Sequence, residues 1–230
     1  MPTRRAVLVG AALSLVAAPT GAGGAPFYYK AWRFNTSAVP NQLSASLTRS
    51  LEAQIDLVEA LPLRPEVLRF FRDVDVKVDP ATLGKAAFYR TAKQRSARSA
   101  RMASERAASQ EMKTRPGATV HRIYLSTQPV PPDQPLLLTM LLHALFDRRL
   151  ADADVARVEA WFDEAKRTGA FANRSEMMHG PEAFFANGAG AVLYGRWPEE
   201  PFERAKMRDR LPDFTAWVVS EFVADDATLQ

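Results

Sequence analysis

One apolar run, LLLTMLLHALFDRRL (Leu136 to Leu150), constrains the fold more than any other part of this sequence. From Leu136 to Leu145, only Thr139 and His143 interrupt the large apolar residues. This pattern predicts a helix that is buried almost all round. A chain of 230 residues is long enough to build a hydrophobic core around such a helix, in one domain.

The segments around this helix predict more helices and two strands. Apolar residues at helical spacing predict helices over 41–61, 65–71, 152–169, 180–195 and 211–223. Alternating patterns predict strands over 74–80, half-buried, and over 118–127. We expect Asn41 to cap the first helix and Asp133 to cap the helix that begins near Pro135. The fold class expected is therefore α+β, mostly helical with a small sheet.

The first 25 residues have the organisation of an export signal. Arg4 and Arg5 precede an apolar stretch, and small residues follow as far as Ala25. The paired arginines favour the twin-arginine route, and a general secretory signal is the alternative. We therefore expect a periplasmic or secreted protein of bacterial type, with one folded domain over 26–230 and no membrane span once the signal is removed.

The composition excludes cysteine chemistry, and it includes one strongly basic segment. The chain has no cysteine, which excludes disulfides, thiolate catalysis and cysteine-ligated metals. The stretch 85–115 carries nine Lys or Arg and two Glu, and from residue 91 onward it is rich in Ala, Ser and Arg. It is interpreted as a solvated helix or flexible excursion, or as an arm that binds an anionic polymer through Arg95, Arg98 and Arg101. Since few aromatic residues are interleaved, a nucleic-acid partner is not expected.

The helix at 136–150 also carries half of a known metal-binding pattern. Zinc peptidases of the HExxH type need two histidines four residues apart on one helix face, and a glutamate beside the first that takes a proton from the metal-bound water. Here the corresponding residues are Thr139 and His143, with Met140 at the place of the glutamate.

Several segments in register resemble a known family. They are LEAQIDLVEALPLRPEVLRFF, VDVKVDP, LLHALFDRRL, FDEAKRTGAF, AFFANGAGAVLYG and PFERAKMRDRLPDFTAWV. Together they resemble exported bacterial zinc-peptidase-like proteins, glutamate-ligand zincins related to the catalytic domain of anthrax lethal factor. The resemblance implies a zincin-like fold with the order helices, strands, metal helix, spacer helix, third-ligand helix and a last helix that opens with Leu-Pro.

Carried over residue by residue, the resemblance implies a degenerate active site. The first zinc histidine falls on Thr139 and the catalytic glutamate on Met140, while His143 matches the second histidine and Asp147 the acidic residue after it. The third ligand falls on Ala183, and Glu176 takes the place of the tyrosine that stabilises the transition state. The resemblance therefore implies a pseudopeptidase with no bound zinc, whose vestigial cleft binds a peptide or protein partner.

Two alternatives remain open from the sequence. In the first, a rebuilt metal site uses His143 and Glu182 with His179 or His121, and the protein is an active hydrolase. Against it, a shift of one residue turns a helical side chain by about 100°, so Glu182 is expected to point away from a site at position 183. In the second, His143 is a core residue that hydrogen-bonds Thr139 or Asp147, each one turn away.

Overall fold

The computed structural model describes residues 24–39, 42–80, 87–90, 122–225, 227 and 229, with the side chains of Ala87 and Tyr89 alone in the stretch 87–90. Within these residues the helices are α1 (Ala45–Glu59), α2 (Pro65–Asp73), α3 (Leu136–Arg148), α4 (Asp152–Thr168), α5 (Pro181–Tyr194), α6 (Arg204–Arg210) and α7 (Pro212–Phe222). A 3₁₀ turn, Glu176–His179, precedes α5. The strands are β1 (Phe27–Tyr29), β2 (Trp32–Asn35), β3 (Asp75–Val78), β4 (Ala87–Arg90) and β5 (Arg122–Leu125).

The five strands form one mixed sheet in the order β1-β2-β3-β5-β4. Strands β2, β3 and β5 are parallel, whereas β1 and β4 run antiparallel to their neighbours at the two edges. The register aligns Phe34 with Val76, Val76 with Ile123, and Ile123 with Tyr89, so these side chains share one face of the sheet. Tyr89 reaches α3 from that face. The expected α+β class with a small sheet is confirmed.

Helix α5 is the centre of the helical layer. Every residue from Phe184 to Leu193 is buried, and the helix packs against α3, α4, α6 and α7. Aromatic rings surround it: Phe184 contacts Phe214, and Phe185 contacts Trp217, with ring centroids 5.3 and 6.1 Å apart. Aromatic pairs of this kind stabilise a core by about 0.5–1.5 kcal/mol beyond the area they bury.

Two predicted helix caps are wrong. Helix α1 begins at Ala45, and the Ser44 hydroxyl accepts a hydrogen bond from the Leu47 N–H at 3.2 Å; Asn41 lies outside the described residues. Asp133 is exposed and does not cap α3. Instead Gln54, a buried residue of α1, accepts from the Leu137 N–H at 3.0 Å and so satisfies a first-turn donor of α3 from another helix. No local pattern near Gln54 or Leu137 indicated this long-range cap.

The strand boundaries also differ from expectation. The strand predicted over 74–80 is β3, and it is buried on both faces rather than half-buried, because Lys77 is 7% exposed. Of the strand predicted over 118–127, the described part is β5, Arg122–Leu125. Strands β1, β2 and β4 and the short helix α6 were not predicted. By contrast, the helix predicted over 152–169 is confirmed, and it ends at Gly169, whose φ of 64° is the left-handed conformation typical of a helix C-terminus.

Candidate functional site

The positions on α3 that the resemblance assigns to a zinc site lie on the less buried face of this helix. Six residues of this helix are buried in the core, namely Leu137, Leu138, Leu141, Leu142, Ala144 and Leu145. Thr139, Met140 and His143 are partly exposed, and Asp147 is exposed. The expectation that the helix is buried almost all round is therefore wrong for this stripe, where residues three and four apart lie next to each other.

His143 is joined to α5 by Glu182. Its Nδ1 lies 2.9 Å from Glu182 Oε1, and the two side chains are 19% and 36% exposed. An ionised carboxylate can only accept, so Nδ1 carries the hydrogen and donates it. The expectation that Glu182 points away is wrong. Glu182 is the second residue of α5, and its long side chain reaches α3 from the first turn, although the adjacent Ala183 faces another direction.

The two partners expected for His143 have other hydrogen bonds. The Thr139 hydroxyl donates to the Pro135 carbonyl, one turn back in the chain, at 2.9 Å. Asp147 accepts from the Tyr89 hydroxyl of β4, also at 2.9 Å. The interpretation of His143 as a residue satisfied within its own helix is therefore wrong, because its bond goes to a different helix.

Tyr89 attaches the edge strand β4 to α3. Burial raises the pKa of its hydroxyl well above the ordinary value of 10.0, and the hydrogen bond to Asp147 raises it further. The phenol is therefore a neutral donor throughout the physiological range. Sequence reasoning missed this residue, because Tyr89 lies in a basic, alanine-rich segment that gave no strand signal.

A second network orders the first turn of α5. The Asn187 amide donates to the Ala183 carbonyl at 2.9 Å, and its oxygen accepts from Trp197 Nε1 at 2.8 Å. Asn187 is a buried polar residue, and both of these bonds are internal, so it holds the residue at the predicted third-ligand position. The signal in the sequence was a lone amide within an otherwise apolar helix.

Glu176 and His179 form a separate pair on the surface. His179 Nδ1 lies 3.2 Å from Glu176 Oε2, and both side chains are more than half exposed. In the part of the chain that the structure describes, no three His, Asp or Glu side chains are placed to hold a metal ion together. His143 and Glu182 of the hypothetical rebuilt site are thus brought together without His179, and His121 lies outside the described residues.

The residues at the zinc-peptidase positions do not fit zinc. A zinc ion in a peptidase needs three protein ligands of imidazole or carboxylate type. Thr139, Met140 and Ala183 supply a hydroxyl, a thioether and a methyl group, and the Thr139 hydroxyl already donates to a carbonyl. Of the donors that the family resemblance implies, His143 remains, and its ring is hydrogen-bonded to Glu182.

Residues 91–115 of the basic stretch predicted to bind anionic polymers, with Arg95, Arg98 and Arg101, lie outside the described residues, as does the predicted signal up to residue 23. Among the helices that are described, none combines the length and apolar character needed to cross a membrane.

Comparisons of the chain with protein-family models, with curated proteins and with solved structures found no match. What the protein does must therefore be argued from the geometry of α3, α5 and β4.

Proposed function

We propose that this protein is an exported, catalytically inactive metallopeptidase-like protein with a zincin-like fold, which binds an extended peptide segment of a partner without cutting it. The observation that carries the proposal is that two packed helices have side chains unsuited to zinc at the positions where the resemblance requires ligands. Thr139 and Met140 on α3, and Ala183 on α5, stand where the resemblance requires two ligands and a general base.

The order and packing of the elements support the zincin-like fold. After helices α1 and α2 and the strands come α3, the spacer helix α4, α5, and finally α7, which opens with Leu211-Pro212. The helices expected to carry the metal ligands, α3 and α5, pack directly against each other. Distant parts of the sequence therefore meet where the resemblance requires a site.

The His143–Glu182 bond supports the loss of the metal. A zinc ion joins the helices that supply its ligands. Here Glu182 of α5 bonds Nδ1 of His143 on α3 at 2.9 Å. This hydrogen bond joins the same two helices without a metal, and it leaves Nε2 of His143 unused.

Strand β4 is the element to which we expect the peptide to bind. Among the described residues it is the last strand of the sheet on the side of α3, and the Tyr89–Asp147 hydrogen bond fixes it beside the stripe of Met140 and His143. An edge strand presents backbone donors and acceptors to which an extended peptide can add. The partly exposed Met140 offers an adaptable apolar contact to the peptide side chains.

Binding to fluorescein-labelled casein, an extended and disordered probe, tests the proposal. We expect fluorescence anisotropy to show binding and electrophoresis to show no cleavage. Met140→Arg should abolish binding by adding a charge to the stripe. The matched variant Val219→Arg, at an exposed apolar residue of α7, should bind as the wild type does. Equal binding by both variants would place the peptide elsewhere and contradict the proposal.

Restoring the lost residues tests the vestigial geometry. The triple variant Thr139→His, Met140→Glu and Ala183→Glu should bind zinc, which the wild type should not, and zinc should raise its melting temperature. Activity is not expected, because Glu176 holds the place of the transition-state tyrosine. Failure of a correctly folded triple variant to bind zinc would contradict a zincin ancestry of the site.

The His143–Glu182 pair also favours a second candidate, an active hydrolase with a rebuilt site. A carboxylate bonded to Nδ1 fixes the imidazole tautomer and leaves Nε2 to act as a general base. Cleavage of the casein probe by the wild type, abolished in His143→Gln, would establish this candidate and refute the pseudopeptidase. Loss of that cleavage on chelation would show that it also needs a metal.

Export remains part of the proposal and has its own test. If Arg4 and Arg5 form a twin-arginine signal, replacing both with lysine should leave the precursor in the cytoplasm of a bacterial host. Undisturbed processing would instead indicate the general secretory route.

A further inference from the structure

We propose that the exposed stripe of α3 binds a soft monovalent metal ion, Cu(I), through the thioether sulfur of Met140 and Nε2 of His143. This inference does not depend on peptide binding or on zinc, so it can be tested independently of the proposed function. Three observations on the described residues carry it: the orientation of His143, the place of Met140, and the commitment of the neighbouring oxygen ligands.

The first observation is that Glu182 orients His143 as a carboxylate orients a metal-binding histidine. Nδ1–H donates to Glu182 Oε1 at 2.9 Å, so a metal ion would bind at Nε2, on the opposite side of the ring. Histidines that bind metals almost always donate their other N–H to a carboxylate, a carbonyl or a water in this way. The side chain is 19% exposed, which gives an ion access from solvent.

The second observation is that Met140 precedes His143 by three residues on the same helix. Side chains at this spacing are neighbours, with about 5–6 Å between their Cβ atoms. Met140 is partly exposed and packs against the hydrophobic core. A methionine side chain has three rotatable bonds, which allow its thioether sulfur to turn toward a neighbouring residue.

The third observation is that the nearby oxygen groups of Thr139, Asp147 and Glu182 each take part in a hydrogen bond. Thr139 donates its hydroxyl to the Pro135 carbonyl, and Asp147 accepts from Tyr89. What the stripe offers is one thioether and one imidazole, a pair that suits Cu(I) rather than Mg²⁺, Ca²⁺ or zinc. Cu(I) accepts two or three ligands. The negative charge of Glu182, which is hydrogen-bonded to the ligand His143, offsets the charge of the ion.

Silver is the probe, because Ag(I) has the ligand preference of Cu(I) and no redox chemistry under these conditions. The full chain is labelled with ¹³C at the methionine methyl groups, of which it has seven, and with ¹⁵N at histidine. Addition of one equivalent of Ag(I) should shift the methyl signal of Met140 and Nε2 of His143 more than any other signal. A competition assay with Cu(I) and a chromogenic chelator should give one tight site.

The variants separate binding from folding. Met140→Leu keeps the volume and removes the sulfur, and it should weaken Ag(I) binding by more than about tenfold. His143→Gln should do the same. Met207→Leu, the matched loss of a thioether from the buried core, should leave the affinity unchanged.

Glu182 is a positioning residue for the site. Glu182→Gln should weaken Ag(I) binding by about tenfold, and the ¹⁵N shifts should show His143 redistributing between its two tautomers. A merely structural role of Glu182 would leave the tautomer ratio of the folded protein unchanged.

Three outcomes would overturn the inference. One is an unchanged affinity in Met140→Leu. The second is a wild-type spectrum in which Ag(I) shifts other methionine methyl groups and leaves Met140 in place, a result that needs no variant to fold. The third is competition by an equal concentration of Zn²⁺, because it would show a site with borderline ligands.

Discussion

Replacing Gly190 with alanine should destabilise the protein strongly, although alanine is the better helix former. Gly190 lies in the middle of α5, against the ring of Trp197. A Cβ atom added there would lie 2.1 Å from Cη2 and 2.4 Å from Cζ3 of that ring, far inside van der Waals contact. The ring has no free direction to move, because Trp197 is 5% exposed and its Nε1 donates to Asn187 at 2.8 Å in the core.

The magnitude follows from three contributions. Overpacking a well-filled core costs about 1–3 kcal/mol, and an overlap with a rigid ring places this case near 3. Displacing the ring strains the buried Trp197–Asn187 hydrogen bond, which adds about 1 kcal/mol. Alanine regains about 1 kcal/mol of helix propensity over glycine. We therefore expect Gly190→Ala to lower the free energy of unfolding by about 3 kcal/mol.

Gly188, two residues earlier on the same helix, is the matched control. A Cβ atom there would lie 3.0 Å from Met207 Cε, the end of a flexible side chain, and 3.1 Å from the Phe214 ring. These neighbours need to shift by a few tenths of an ångström, so Gly188→Ala should stay within about 1 kcal/mol of the wild type. Urea unfolding followed by circular dichroism and tryptophan fluorescence measures both variants. If Gly190→Ala were as stable as Gly188→Ala, the packing of Trp197 on α5 described here would be wrong.

Three further predictions concern the site and its surroundings. A double-mutant cycle with His143→Gln and Glu182→Gln should give a coupling energy of about 0.5–1 kcal/mol by urea unfolding at pH 7, since both side chains are partly solvated. Zero coupling would show that the two side chains do not bond α3 to α5. The protein as purified should contain no stoichiometric zinc by atomic emission, and EDTA should leave its melting temperature unchanged; a lower melting temperature would indicate a structural metal. Burial alone would raise the pKa of Glu59, but the hydrogen bonds from Arg72, at 3.0 and 2.6 Å, and from Trp32 outweigh it and lower the pKa below 4.5. The contribution of the Arg72–Glu59 pair to stability is therefore complete above pH 4.5 and is lost as the pH falls through the lowered pKa of Glu59. Arg72→Met should lower the free energy of unfolding by about 1–2 kcal/mol at pH 7 and by much less at pH 3. An equal loss at both pH values would contradict this.

The helices of the site were predictable and the contacts between them were not. The period of apolar residues predicted α3, α4, α5 and α7, because a helix that packs on a core must repeat its apolar side chains every three to four residues. The same pattern does not say which polar groups meet across two helices. His143 was expected to bond Thr139 or Asp147, which are near in sequence, and the structure pairs it with Glu182, which is 39 residues away.

The sheet was less predictable than the helices. All five described strands, β1, β2 and β4 among them, have only three or four residues, so strand length did not decide which of them the sequence predicted. Their existence depends on pairing with strands far away in the chain, as Phe34 pairs with Val76. Local propensity carries little of that information, because a strand is stabilised by its cross-strand neighbours.

The sequence by itself determined the fold class, the chemistry that is excluded and the helix on which the site lies. The absence of cysteine and the presence of Thr139 and Met140 before His143 are facts of covalent composition, and no folding changes them. Tertiary structure alone decided that Gln54 caps α3, that Tyr89 holds β4 against Asp147, and that Glu182 orients His143. These are hydrogen bonds between residues that lie far apart along the chain, and their formation depends on distances that exist only once the helices and the sheet have packed.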